Sequence, residues 1–381
     1  MTSPAASQAD RVARAALSRL SEPGDLRLMR LVAEVGAEQV YDALLHERDV
    51  LGVYTDVAAR LRGLDPEREL AEAAANDIRF VVPGEPEWPA RLDELSRVQV
   101  LDRGGPPLGL WLRGPLDLSE ATARSVAVVG SRSATTYGAD ISRGIGAGLA
   151  AAGVCVTSGA AYGIDQAAHR GALAGKGATV AVLACGADRA YPPGHQTLLD
   201  YIADNGLVVS ELPPGSAPTR LRFLTRNRII AALGLGTVVV EAAVRSGALN
   251  TANWTSRLGR VLMGVPGPVT SAPSEGVHGL IRSAEAVLVT NAAEVLELVS
   301  PAGSFLTVPA RAEPTARDRL PAVDARVLEA VPAYQGAPAA AVARTAGVSQ
   351  STADAALQRL SAAGLAESQQ GRWRLTADSR V

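Results

Sequence analysis

The sequence predicts an α/β fold, a Rossmann-like and mostly parallel sheet with a helical domain before it and a winged helix after it, on three observations. Between Arg124 and Ser300, seven short apolar runs rich in β-branched residues alternate with longer Ala-rich runs of helical period. From about Ala9 to Ala75, apolar residues recur at helical spacing, as in Leu28, Leu31, Val32 and Val35. Near the end, APAAAVARTAGVSQSTADAALQRLSAAGLAESQQGRWRLT reads as a helix, a Gly347 turn, a Ser349 cap, a second helix to about Leu360 and a hairpin centred on Gly371.

In chain order, residues 1–80 are the expected helical domain. Residues 81–300 are the sheet domain with an N-terminal extension, 301–322 a Pro- and Ala-rich tether, and 323–381 the winged helix. From Val81 to Leu118, PGEPEWPARLDEL and GGPPLGLWLRGPLDL are too rich in Pro and Gly for long helices and predict an extended connection packed on its neighbour. The strand candidates are VAVVG at 126, VCVT at 154, TVAVLA at 179, LVVSE at 207, TVVVEA at 237, VLMGV at 261 and AVLVT at 286. Helical runs between several of them imply parallel strands joined by right-handed crossovers. Their near-continuous apolarity fits a sheet covered on both faces.

The chain has 381 residues, 47% hydrophobic and 20% charged, enough for more than one folded domain and too apolar for general disorder. Thirty-seven Lys and Arg oppose 39 Asp and Glu, a formal charge of −2, so any nucleic-acid site must be a local concentration of Arg. Cys155 and Cys185 lie in apolar runs and read as buried thiols, neither a disulfide framework nor a metal cage. No signal-like start and no apolar run of membrane-spanning length is present, which makes a cytoplasmic soluble protein the expectation.

Four stretches concentrate chemistry at strand ends. In VAVVGSRSATTYG, Gly130, Ser131 and Arg132 precede a helix expected near Gly138, and this turn is either an anion site built from amides, a hydroxyl and a guanidinium or a tight structural turn. In TSGAAYGIDQAAH, Ser158 and Gly159 form a second small loop. Asp165 and His169 lie four apart, and the favoured reading is a helix cap and a histidine donating to a carbonyl, with a metal pair as the alternative. PTRLRFLTRNRIIAALG places Arg220, Arg222, Arg226 and Arg228 within nine residues, with Arg226 and Arg228 expected at a helix start where only an anion makes them welcome. In GLGTVVVEAAVRSGALNTA, Glu241, Arg245, Ser246 and Gly247 follow a buried strand. All four face the edge where open α/β sheets bind ligands. No complete G-x-G-x-x-G, P-loop, G-x-S-x-G or H-E-x-x-H occurs, so no nucleotide cofactor or metal is expected.

Together, VAVVGSRSATTYG, SGAAYGIDQAAHRGAL, TVAVLACGADRAYP, SELPPG, FLTRNRIIAAL and EAAVRSGALNTA resemble the DNA-processing protein A (DprA/Smf) family, in register from about Trp88 to about Leu298. The helical region is similar to that family's sterile-alpha-motif-like (SAM-like) domain, and the winged helix to an appendage many members carry. The resemblance implies a homodimer that binds single-stranded DNA non-specifically and hands it to RecA recombinase during natural transformation, with no catalysis of its own. It implies a phosphate-holding turn at Gly130, Ser131 and Arg132, a pocket lined by Ser158 and Gly159, and backbone contacts from Arg226, Asn227 and Arg228. Arg220 matches a basic position, and His278, Leu280 and Ile281 fall where members dimerise. Pro193 in YPPGH stands where members often have Lys, and Trp254 where a small residue is usual; the indole is expected in the core. A rival reading makes Glu241, in GLGTVVVEA, the acid or nucleophile of a nucleotide phosphoribohydrolase-like enzyme. A third makes the winged helix a sequence-specific regulator, although SQSTADAALQRL, with Arg359 beside Asp354, carries little charge for phosphate contacts and suits protein docking better.

Overall fold

The computed structural model describes residues 7–46, 63–306 and 315–379. The chain forms two compact units, residues 1–307 and 308–381.

The first unit opens with α1 (Gln8–Leu20), α2 (Leu26–Val35), α3 (Ala37–Leu45) and α4 (Pro66–Ala74); the stretch 47–62 of the expected helical domain lies outside the described residues. Ser7, Asp25 and Asp65 cap three of these helices through their side chains. Leu17, Leu28, Leu31, Val40 and Leu44 make a small core of their own. The helices nevertheless belong to the same unit as the sheet. Ala15 and Ala73 pack with Ile78, Phe80 and Trp111, and the Arg11 guanidinium donates to the Phe80 carbonyl at 2.8 Å and pairs with Glu85. The boundary expected after residue 80 is therefore not a division between separate bodies.

Nine strands form the sheet: β1 (Ile78–Val81), β2 (Leu110–Arg113), β3 (Ser125–Val129), β4 (Cys155–Ser158), β5 (Thr179–Leu183), β6 (Leu207–Ser210), β7 (Gly236–Val239), β8 (Val261–Gly264) and β9 (Val287–Leu288). Their order is β1-β2-β6-β5-β4-β3-β7-β8-β9. All seven expected runs are strands, and β3 to β9 pair in parallel. The stretch read as an extended connection supplies more than that: β2 joins β6 antiparallel and β1 joins β2, with the Phe80 and Trp111 rings packed at a tilt, 4.5 Å between centroids.

Helices α5 (Leu118–Ala123), α6 (Thr136–Ala151), α7 (Ile164–Ala174), α8 (Gln196–Asn205), α9 (Arg220–Leu233), α10 (Ala248–Arg257), α11 (Glu275–Arg282) and α12 (Ala292–Val299) cover the sheet. Strand alternation sorts the two faces. Val126 and Val128 pack with Ile145, Leu149 and Ile164, whereas Ala127 and Val129 pack with Ile229, Ile230 and Leu233 of α9. Trp254 is buried in that second layer, as expected of a core residue. From Thr225 onward α9 is buried on every side, and its last carbonyls are satisfied by Arg91 and Arg260, cations at the negative end of the helix dipole.

The second unit, taken by itself, contains α13 (Ala322–Ala330), β10 (Ala337–Pro338), α14 (Ala339–Ala346), α15 (Gln350–Ala362), β11 (Ala366–Gln369) and β12 (Arg372–Leu375), with sheet order β10-β12-β11. Gly347 adopts the left-handed conformation at φ 67° that ends α14, and Ser349 accepts from the Thr352 amide to start α15. Gln370 and Gly371, at φ 52° and 74°, make the hairpin turn. Of the expected tether, residues 307–314 lie outside the described residues. Among the described residues, no helix is long and apolar enough to cross a membrane.

Candidate nucleic-acid interface

From β3 the chain steps outward through β4, β5 and β6, then returns to place β7 on the other side of β3. The loops leaving the carboxyl ends of β3 and β7 therefore diverge and leave a crevice. A cleft of about 720 Å³ occupies it. Its walls are Gly130, Ser131, Arg132 and Ser133 after β3, Arg245, Ser246 and Gly247 after β7, Tyr191 beyond β5, and the first half of α9. Helices α6, α7, α9 and α10 all begin at this edge, with their positive dipole ends toward it.

Eight expected residues line the cleft: Gly130, Ser131, Arg132, Arg220, Arg226, Asn227, Ser246 and Gly247. Ser158, Gly159 and Arg228 do not, and each has a reason. The Ser158 hydroxyl is buried and donates to the Val128 carbonyl at 2.6 Å. Gly159 supports the cleft from behind: its carbonyl accepts from Arg226 Nη1 at 2.8 Å, and a methyl group on it would overlap that guanidinium. Arg228 is fully buried, with Nη1 and Nη2 each 2.6 Å from Glu211 and Nε 3.0 Å from the Gly105 carbonyl. The expectation that Arg226 and Arg228 stand at a helix start fails because α9 begins at Arg220, six residues before Arg226. Two residues apart on a helix differ by about 200° in direction, so only one of the two can face the cleft.

Arg226 is that one. Its guanidinium also donates to the Val182 carbonyl and to Asn227 Oδ1, and burial pushes its pKa down to about 10, still cationic at neutral pH. Arg132, Arg220 and Arg245 are exposed and have no ion pair with any described carboxylate. Arg132 lies 4.6 Å over the ring of Phe223, and Tyr191 packs on the same ring at 5.4 Å. Phe223 and Tyr191 lie outside the residues that the motifs single out, although Phe223 precedes Arg226 by three positions and so shares its helix face.

In the turn after β3, three of the amides that an anion cradle could use are already engaged within the protein. Ser131 N donates to the Glu241 carbonyl at 2.7 Å, Ser133 N to Ser131 Oγ at 3.1 Å, and Thr135 N to Glu241 Oε2 at 2.9 Å. The same bonds engage the side chain of Glu241. Its carboxylate is buried, takes Thr135 Oγ1 at 2.5 Å on the other oxygen, and serves as a bracket that holds the turn.

Asp165 caps no amide of its own helix; its buried carboxylate accepts from Gly159 N at 3.2 Å and Ala161 N at 3.4 Å. Burial raises its pKa, and nearby Arg226 and the amides oppose the rise. His169 Nδ1 meets the Thr179 hydroxyl at 2.7 Å in place of a carbonyl, and burial holds its pKa down at about 3. Cys155 and Cys185 are free and buried, their thiols pushed up to about 12 and 11 by burial. Among the described residues no cluster of three or more His, Cys, Asp or Glu is placed to hold a metal. His278, Leu280 and Ile281 are half-buried on α11, where His278 Nε2 bonds the Gly267 carbonyl at 3.0 Å, beside the sheet edge at which Val287 and Leu288 are each 48% exposed.

A family model described as DNA recombination-mediator protein A matches residues 79–300. A putative DNA processing protein DprA of Mycobacterium tuberculosis is 42% identical over 94% of this chain and 92% of its own length. The DNA processing protein DprA of Streptococcus pneumoniae is 43% identical over half of this chain and 66% of its own. A solved structure of the Streptococcus pneumoniae protein covers 76% of this chain and 97% of itself, with TM-score 0.61 and 29% identity. A structure of DNA processing protein A from Helicobacter pylori, whose subject is its single-stranded DNA binding mode, covers 58% of this chain and 94% of itself, with TM-score 0.50 and 25% identity. With a matching family model over more than half of its length and a relative 42% identical over 94% of it, this chain belongs to the DNA recombination-mediator protein A family, the DprA/Smf proteins.

Proposed function

We propose that this protein binds single-stranded DNA without regard to sequence in the cleft between β3 and β7, and that as a cytoplasmic homodimer it loads RecA recombinase onto that strand in natural transformation. The observation that carries the DNA reading is the set of unpaired guanidiniums, Arg132, Arg220 and Arg245, gathered with Arg226 at one edge of a chain whose formal charge is −2. Phosphates neutralise these groups and release counterions, which makes affinity fall with salt. The half-buried Phe223, with Arg132 over its ring, brings an aromatic group to the same cleft, and because aromatic stacking is sequence-tolerant this supports a contact indifferent to sequence. A crevice walled by loops and one helix accepts a single strand better than a duplex.

RecA loading and competence come from the family resemblance. Dimerisation through α11 is supported by the exposed Val287 and Leu288 at the adjoining sheet edge. A role as a binding factor fits the engaged carboxylate of Glu241. The test is titration of a labelled oligothymidine and its duplex at several salt concentrations, with the intact protein, Arg132→Ala and Arg226→Ala. Single-strand preference and salt-sensitive affinity, weakened in the variants, are expected. Absence of binding at low salt, or affinity unchanged in both variants, overturns the proposal.

A further inference from the structure

We propose that Tyr162 is an outer stacking position for a base of the same strand, just beyond the cleft; the inference rests on the single-stranded DNA reading above. The residue is 47% exposed, yet its ring is fixed. His195 meets it edge-on at 4.5 Å between centroids, and Gly194 lies so close that a Cβ there would stand 2.8 Å from the tyrosine hydroxyl. His195 is itself held, by the Ala160 carbonyl at 2.9 Å and by Gln166.

The place matters more than the exposure. Tyr162 follows Ala161, which lines the cleft, and precedes Gly163, whose φ of 77° lets the backbone pass against the carbonyls of Ser131 and Arg132. Ile164 N donates to the Ser131 carbonyl at 3.2 Å, so the loop carrying Tyr162 is bonded to the turn carrying Arg132. On the other side, Tyr191 lies four residues before His195, lines the cleft and packs on Phe223. Phe223, under Arg132, thus packs with Tyr191, and four residues further along the chain His195 packs with Tyr162. A pre-fixed, half-open ring suits a base, because stacking is sequence-tolerant and costs little ordering of the protein.

The test compares the full-length protein with Tyr162→Ala, Tyr162→Leu, Tyr162→Phe and Tyr162→Trp. The probes are oligothymidines of about 4 to about 16 nucleotides, one carrying 2-aminopurine at successive positions. Loss of one stacked base corresponds to a weakening of about 5- to 100-fold. That loss is expected in Tyr162→Ala and Tyr162→Leu on the longer oligonucleotides, with loss of 2-aminopurine quenching at one position, while Tyr162→Phe and Tyr162→Trp keep both. Tyr162→Leu keeps apolar bulk against His195, so it separates stacking from damage to the loop. Affinity within about twofold of wild type in Ala and Leu, or an equal loss in Phe, overturns the inference. Failure of the unaltered protein to bind any oligothymidine would instead overturn the DNA reading on which it rests.

Discussion

Two parts of this chain have architectures that commonly meet nucleic acid, the carboxyl edge of the nine-stranded sheet and the winged helix, and they differ in what their arginines touch. At the sheet edge, Arg132, Arg220 and Arg245 are exposed and face no described carboxylate. In the winged helix, Arg359, the one cation of α15, is held in a fork by Asp324 at 2.6 and 2.8 Å. On the wing, Arg374 pairs with Glu367 at 2.7 Å, whereas Arg372, whose Nε donates to the Gly336 carbonyl at 2.7 Å, is a cation that meets no described carboxylate. Phosphates are attracted by charge that the protein has not already neutralised. Fold therefore indicates where a strand would lie, and the pairing of the arginines indicates whether it is held there.

The comparison extends within α9, where Arg226 borders the cleft and Arg228 closes a buried pair with Glu211. Replacing Arg228 or Glu211 with Ala leaves the other charge buried and unpaired, and a loss of about 3 to 5 kcal/mol in urea unfolding is expected. A loss below about 1 kcal/mol would mean that Arg228 is accessible and belongs with the binding cations after all.

Next in size is acid sensitivity on the buried side. His169 has an ordinary pKa of 6.5 and is held down at about 3 when folded, so between those values the unfolded chain binds more protons. Stability from this group is full above about pH 6.5 and is lost as pH falls toward 3. Unfolding followed across that window shows the slope, and His169→Asn reduces it.

Smaller in energy is Arg132→Ala. Affinity for single strands drops about tenfold and the salt slope shrinks by about 0.7, while unfolding stability moves by less than about 0.5 kcal/mol. Smallest is the wing: Arg372→Ala with Arg374→Ala changes single-strand affinity less than about twofold, measured in the same titration. An effect as large as that of Arg132→Ala would erase the distinction between the two regions.

Much of this was legible in the residues. Seven parallel strands announce themselves as β-branched runs, and Gly347, Ser349 and Gly371 mark the winged helix where it is found. The strands IRFV and LWLR were hidden by the prolines and glycines around them and by their four-residue length. Arg226 and Arg228 were indistinguishable because the later part of α9 is buried all round and offers no polar stripe to set its phase. The bracket made by Glu241 depends on Thr135, 106 residues away in sequence, a relation no local pattern carries. Phe223 was legible and passed over: its three-residue spacing from Arg226 places both on one face.

The most direct measurement is the salt dependence of single-strand affinity in the full-length protein, in a triple variant of Arg132, Arg220 and Arg245 to Ala, and in the wing double variant. Each phosphate neutralised adds about 0.7 to the slope, so the triple variant is predicted to lose about 2 while the wing variant keeps the wild-type slope. A triple variant with an undiminished slope, or a wing variant whose slope collapses, would contradict the assignment of DNA binding to the unpaired arginines of the sheet edge.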